Sequence, residues 1–161
     1  MSKLDITVVS SIDEWVQCQH IRSSAFLSTE PYREEFDGKD FELVTHILAI
    51  QDTVPVACMR LRYACENTIH GGRLALMPNL EPRNRLRTLN AIATYADSYC
   101  VKMGFSRILG EVADRRLIKF WLRRGFQLTG GKPIEFGDRQ FWPIEKYING
   151  ASILNSADEV K

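Results

Sequence analysis

The chain has 161 residues, 45% hydrophobic and 25% charged, with 21 Lys and Arg against 20 Asp and Glu for a net charge of +1. This length suits one domain with a real core. No global basic excess points to nucleic acid or an anionic membrane as a partner. No apolar run approaches the roughly 20 residues of a membrane span, and Met1 to Ile12 carries no basic-then-apolar leader, so the expectation is a cytoplasmic protein.

Leu4–Val9 alternates apolar and polar residues around Ile6, Val8 and Val9 and reads as a strand. Ser11 and Asp13 open a helix with Trp15, Cys18, Ile21, Ala25 and Phe26 at helical spacing. An acidic connection follows from Ser28 to Asp40. Leu43–Ile50 and Val54–Tyr63 predict a hairpin around Asp52, and Ile69–Met77 a further strand, ended by a turn from Pro78 to Pro82. A long helix is expected from Leu86 to Met103, closed by Gly104. Ile108–Val112 is a strand, Asp114 caps a helix over Arg115–Arg124, and Phe126–Thr129 and Phe136–Ile144 form a closing pair of strands.

The order β-α-β-β-β-α-β-α-β-β predicts an α/β (α+β) chain, with a mixed sheet flanked by helices. One domain over 1–148 is expected, followed by a flexible polar tail at 149–161. The cysteines Cys18, Cys58, Cys65 and Cys100 have neither zinc-site nor disulfide-framework spacing. Cys58 and Cys100 sit in apolar runs and read as buried thiols. No metal site is expected.

Three constellations could carry chemistry. The first is Leu74–Pro78 running into Arg83, Asn84, Arg85, Leu86, Arg87 and Thr88 at the start of the long helix. Arginines there, with the N–H groups and dipole of a helix start, suit a diphosphate; a solvated basic turn is the plainer alternative. The second is Asp114, Leu117, Trp121 and Gly125-Phe126. The third joins Arg22 and Phe26 to the acids Glu35, Asp37 and Asp40, then to Arg60 and Arg73. These acids either pair locally with the arginines or hold a cationic amine and accept its proton. His20, His46 and His70 read as ordinary histidines, and Glu111 either faces a cleft as a base or points outward.

Asp114-x-x-Leu117-x-x-x-Trp121 followed by Gly125-Phe126 resembles the C-terminal half of the GNAT acyltransferases, with Asp114 in place of Asn and Trp121 where Tyr is usual. Indole is a donor only and cannot act as the acid that a Tyr supplies. Arg83 to Thr88 takes the place of the pyrophosphate loop, with Leu86 and Thr88 where the family has glycines. The resemblance spans Leu4 to Ile148. It implies the GNAT fold, with six to seven mostly antiparallel strands splayed at the fourth and fifth to admit pantetheine. It also implies transfer of an acetyl or other acyl group from coenzyme A to a primary amine by direct attack.

On that reading the Leu76 and Met77 backbone holds the pantetheine arm, Arg83, Asn84, Arg85, Leu86, Arg87 and Thr88 hold the diphosphate, and Asp114 lies beside the arm. Glu35, Asp37 or Asp40 accepts the amine proton, and Trp121 stands at the position of the family's acid. Arg22, Phe26, Arg60 and Arg73 line the acceptor pocket. The third constellation also resembles the acyl-homoserine lactone synthases, which implies acyl carrier protein and S-adenosylmethionine as substrates. They carry Glu-x-Ser-Arg-Phe where this chain has His70-Gly71-Gly72-Arg73-Leu74. The missing glycines and Tyr leave a non-catalytic binding protein as a third reading. The closing strands and tail would also allow a homodimer.

Overall fold

A computed structural model describes residues 3–27, 35–136 and 139–148 of the chain. The acidic residues Glu30 and Glu34, the nearby Pro31 and Tyr32, and the expected tail at 149–161 lie outside the described residues. The chain divides into two compact units: Met1–Tyr63 with Gly71–Tyr99, and Ala64–His70 with Cys100–Lys161.

The first unit starts with strand β1 (Leu4–Val8) and helix α1 (Ile12–Arg22). Ser11 caps α1 as expected: its side chain takes the Glu14 N–H, and Glu14 reaches back to the Ser11 N–H at 3.2 Å, a reciprocal capping box. The helix does not run on regularly to Phe26. It widens into a π turn over Ser23–Leu27, which carries Ala25 and Phe26. A 3-10 turn at Lys39–Phe41 leads into strands β2 (Val44–Gln51) and β3 (Val54–Cys65). Asp52 and Thr53 both take positive φ, 48° and 75°, which fits a two-residue hairpin turn matched to strand twist.

Strand β1 pairs antiparallel with β2, and β2 with β3. The paired residues Leu48 and Cys58 join Cys18, Ile21 and Ala75 in a buried cluster, with Phe26 and Met77 packed against it. Strand β4 (Thr68–Leu76) contributes residues 71–76 to this unit. Helix α2 (Pro82–Lys102) buries Leu89, Ile92, Ala93 and Ala96 at helical spacing. The Tyr99 and Thr45 hydroxyls, 2.9 Å apart, tie α2 to β2.

Helix α2 starts at Pro82 rather than at Leu86. Proline fits the first helical position because its missing N–H has no partner there anyway. The arginines that read as a loop are therefore the first turns of the helix. Their apolar periodicity is hidden because that stretch is mostly exposed.

The second unit holds the first residues of β4, then β5 (Arg107–Val112), α3 (Arg115–Arg123), β6 (Gln127–Leu128), β7 (Ile134–Phe136) and β8 (Arg139–Tyr147). Thr68–His70 of β4 pair parallel with Arg107–Leu109 of β5. Strand β8 pairs antiparallel with β5, β6 and β7. The expected single strand from Phe136 to Ile144 falls on two paired strands, β7 and β8, which brings the strands among the described residues to eight. Gly104 and Gly125 take positive φ, 82° and 87°, after α2 and α3. Cys18, Cys58 and Cys100 are buried free thiols, and Cys65 is exposed.

Candidate active site

In the first unit, residues from four separate segments meet in one buried charge network. Arg22 ends α1, Glu35 and Asp37 precede the 3-10 turn, Asp40 lies in it, Arg60 is on β3 and Arg73 on β4. Arg22 Nη1 lies 2.8 and 2.9 Å from the Asp40 carboxylate oxygens. Its Nε donates to Glu35 Oε1, and its Nη2 to the Glu35 carbonyl at 2.8 Å. Arg60 Nη1 binds Asp37 at 2.8 Å and Asp40 at 3.0 Å. Arg73 reaches Glu35 Oε2 and Asp37 Oδ2, both at 3.2 Å. Three guanidiniums thus face three carboxylates. Mutual pairing is what lets Arg22 and Glu35 be 1% exposed, since a lone buried charge is prohibitively costly.

The network sets the protonation of its members. Hydrogen bonds from Arg60 hold Asp37 far below the usual carboxylate range. Burial pushes Asp40 up, but the bonds from Arg22 and Arg60 outweigh it and leave it lowered. Burial pushes Glu35 up against the pull of Arg22, Arg73 and Arg60. Burial also pushes His46 down; its Nε2 is 3.4 Å from the Asp40 carbonyl. A carboxylate committed to guanidiniums is a poor proton acceptor, and Glu35 is closed to solvent as well. Arginines thus occupy the carboxylates of Glu35, Asp37 and Asp40, the acids expected to accept the amine proton. Asp37 and Arg73, half-buried, form the solvent edge of the cluster.

Arg73 sits mid-strand with φ 50°, a left-handed conformation that costs a non-glycine residue about 1–2 kcal/mol. Its ion pairs overdetermine that conformation, and such strain gathers at functional sites. Phe26, expected in the acceptor pocket, packs against the buried apolar cluster, as does Met77.

At the end of β4 the chain turns into α2. The Met77 N–H, expected to face a ligand, donates to the Val56 carbonyl at 2.8 Å, and the Met77 carbonyl accepts from Arg85 Nη1 at 3.1 Å. Arg83 and Arg85 are exposed at the first turn of α2, with Asn84 half-buried between them. Leu86 is 56% exposed. Thr88 is buried, so its side chain is closed to a phosphate in solvent. Arg87 lines a groove with Leu4, Ile6, Asn90 and Tyr95, away from the helix tip.

In the second unit Asp114 caps α3 and takes the Arg116 N–H at 2.9 Å; Arg116 beside it holds its carboxyl below the usual range. Trp121 packs edge-on against Phe126, ring centroids 5.3 Å apart, which makes it a wall of the α3 packing. Sequence reasoning missed one pairing. His70 Nε2 on β4 lies 2.8 Å from both Glu111 oxygens on β5, 41 residues away. Only the parallel register of β4 and β5 brings them together. Among the described residues no cluster of His, Cys, Asp and Glu suits a metal ion, and no helix is long and apolar enough to cross a membrane.

No protein-family profile matches the chain, and no curated protein does. Solved structures do match. A candidate N-acetyltransferase from Lactobacillus plantarum superposes with a TM-score of 0.78 at 18% identity, covering 91% of this chain and 99% of the other. The N-acyl amino acid synthase FeeM from uncultured soil microbes gives 0.72 at 10% identity, over 91% and 92%. The PaiA N-acetyltransferase from Thermoplasma acidophilum, solved in complex with coenzyme A, gives 0.64 at 15% identity, over 91% and 99%. The chain has the fold of the GNAT N-acyltransferases, α/β with a mostly antiparallel set of strands.

Proposed function

We propose that the chain transfers an acyl group from a coenzyme A thioester to a primary amine by direct attack. The observation that carries this reading is the run from β4 into α2, where exposed Arg83 and Arg85 stand at a helix start; Pro82 has no N–H and that of Arg85 is bonded to the Glu81 carbonyl at 2.8 Å, so the N–H groups of Arg83 and Asn84 are the ones the helix geometry leaves for an anion. An anion of the size of a diphosphate suits that place. The fold shared with PaiA, solved with coenzyme A, supports a pantetheine donor.

In this proposal Arg83, Asn84 and Arg85 hold the diphosphate, while Arg87 and Thr88 take no part. The Leu76 backbone meets the pantetheine arm, since that of Met77 is already engaged. Leu86, where a glycine would let backbone approach the phosphates, holds them further out and weakens the grip. Asp37 and Arg73, at the solvent edge of the charge network, meet the amine. The test is release of free thiol from acetyl-coenzyme A, scanned against primary amines. Turnover supports the reading, and its absence with every amine counts against it.

A second reading has a specific support. The Arg22 network is the feature that resembles the acyl-homoserine lactone synthases, and the N-acyl amino acid synthase FeeM shares the fold. In that case an acyl carrier protein replaces coenzyme A, and the same assay with an acylated carrier protein separates the two. Turnover with either thioester removes the third reading, a non-catalytic binding protein.

A further inference from the structure

We infer that the acceptor of the acyl transfer proposed above, on which this inference rests, is an α-amino acid, and that Arg73 selects it by binding its carboxylate. The charge network is closed to solvent except at one edge. The side chains of Arg22, Glu35, Asp40 and Arg60 are at most 5% exposed, and those of Arg73 and Asp37 are 20% and 17% exposed. An acceptor arriving from solvent therefore meets a cation and an anion side by side, not a carboxylate alone.

Two features of that edge favour a zwitterion. The first is that Asp37 has both oxygens engaged. Its Oδ1 takes Arg60 Nη1 at 2.8 Å and the Lys39 N–H at 3.1 Å, and its Oδ2 takes Arg60 Nη2 at 3.0 Å and Arg73 Nη2 at 3.2 Å. A carboxylate has about four lone-pair sites, so an ammonium ion finds a place on Asp37 only when one of these donors leaves. The second is that Arg73 makes the longest contacts among the arginines. It lies 3.2 Å from both Glu35 Oε2 and Asp37 Oδ2, against 2.8 to 3.0 Å for Arg22 with Asp40 and for Arg60 with Asp37 and Asp40.

A carboxylate that takes both Nη groups of Arg73, the two-pronged pairing that suits a guanidinium, draws Nη2 off Asp37 Oδ2. The contact of Nε with Glu35 keeps the side chain in place meanwhile. An α-amino acid carries its ammonium on the carbon next to the carboxylate, so the vacated Asp37 oxygen receives it. One ion pair is exchanged for two. The match of three guanidiniums to three carboxylates is kept as well, because a zwitterion adds no net charge to a largely buried cluster. A simple amine adds a positive charge and carries nothing to draw Arg73 away. Arg73 lies three residues before Leu76 on β4, about 10 Å along the strand, and both belong with Arg83 and Arg85 to the first unit.

The step balances as follows. The ammonium gives one proton to water, and the nitrogen bonds to the thioester carbon. The carbon–sulfur bond breaks, and the sulfur leaves as thiolate and takes the second proton from nitrogen. The products are an N-acyl amino acid and the free thiol. The amide nitrogen carries no charge, so Asp37 loses its new partner and Arg73 returns to it as the product leaves.

The test measures thiol released from acetyl-coenzyme A and from an acylated carrier protein. Each protein amino acid with a primary amine is compared with the amine that remains when its carboxylate is removed. The wild type should favour at least one amino acid over its matched amine by about 100-fold or more in kcat/KM. R73Q should raise KM for that amino acid about tenfold or more and leave KM for the matched amine near the wild-type value. R73K should recover part of the loss, whereas a merely structural role would weaken both acceptors alike. Matched amines all used within about threefold of their amino acids, or better, overturn this inference and leave the acyltransferase reading standing. So does an R73Q protein that keeps the wild-type preference. The wild-type comparison needs no variant and decides the matter even where R73Q fails to fold. No wild-type turnover with any acceptor and either thioester overturns both.

Discussion

Arg22 Nη1 lies between the two carboxylate oxygens of Asp40, at 2.8 and 2.9 Å, and both residues are buried. The contact joins the end of α1 to the 3-10 turn 18 residues later, and Asp40 passes the connection on to Arg60 of β3. One ion pair thereby orders the segment that carries Glu35 and Asp37.

Breaking that pair should be expensive. Arg22→Ala strands Glu35 and Asp40 without their main partner, and loss of one member of a buried pair costs about 3–5 kcal/mol. Chemical denaturation should show this loss for R22A and for D40N. The double variant should lose less than the sum of the two, because the partners act as a unit.

Stability should fall with acid in two windows. His46 has its folded value pushed below the ordinary 6.5 of imidazole, so the unfolded chain takes up a proton first. Its contribution is present above 6.5 and is lost as pH falls through the lowered folded value. Asp37 and Asp40 are lowered from 3.8, so their contribution is present above 3.8 and is lost progressively as pH falls from there through their lowered folded values. Glu35 runs the other way: raised from 4.5, it favours the fold below 4.5 and loses that contribution as pH rises through its raised value. Denaturation midpoints measured from pH 7 down to 2 should show the upper decline and most of the lower one, and His46→Gln should remove the upper one.

Arg73 separates strain from charge. Both R73A and R73G lose the bonds to Glu35 and Asp37, but only glycine takes φ 50° freely. The glycine variant should be the more stable by about 1 kcal/mol. Equal melting temperatures would show that the left-handed backbone at 73 is not maintained.

Much of this architecture is legible in the sequence. The capping box at Ser11, the positive-φ hairpin residues Asp52 and Thr53, and the glycines closing α2 and α3 are local features, set by residues a few positions apart. The charge network was half legible. Its members announce themselves by type, but nothing local says that arginines will occupy every carboxylate, because that depends on four segments packing together. His70 and Glu111 were invisible as a pair for the same reason, since a parallel register joins them. The start of α2 at Pro82 does not show in the sequence, because exposed arginines carry no apolar period and a proline fits the end of a turn as well as the first residue of a helix.

Asp114 tests the capping argument against the ligand argument. Asp114→Ala removes the cap of α3 and should cost about 1 kcal/mol. Asp114→Asn keeps a capping oxygen and should recover most of that in thermal denaturation.

The most direct test of the account is calorimetric titration of acetyl-coenzyme A and desulfo-coenzyme A into three proteins: the wild type, R83E/R85E, and R87E. The account predicts micromolar binding of both ligands to the wild type, at least tenfold weaker binding to R83E/R85E, and little change in R87E. Binding that survives reversal of Arg83 and Arg85 would contradict the placement of the donor at the start of α2. Absence of binding to the wild type would contradict coenzyme A as the donor.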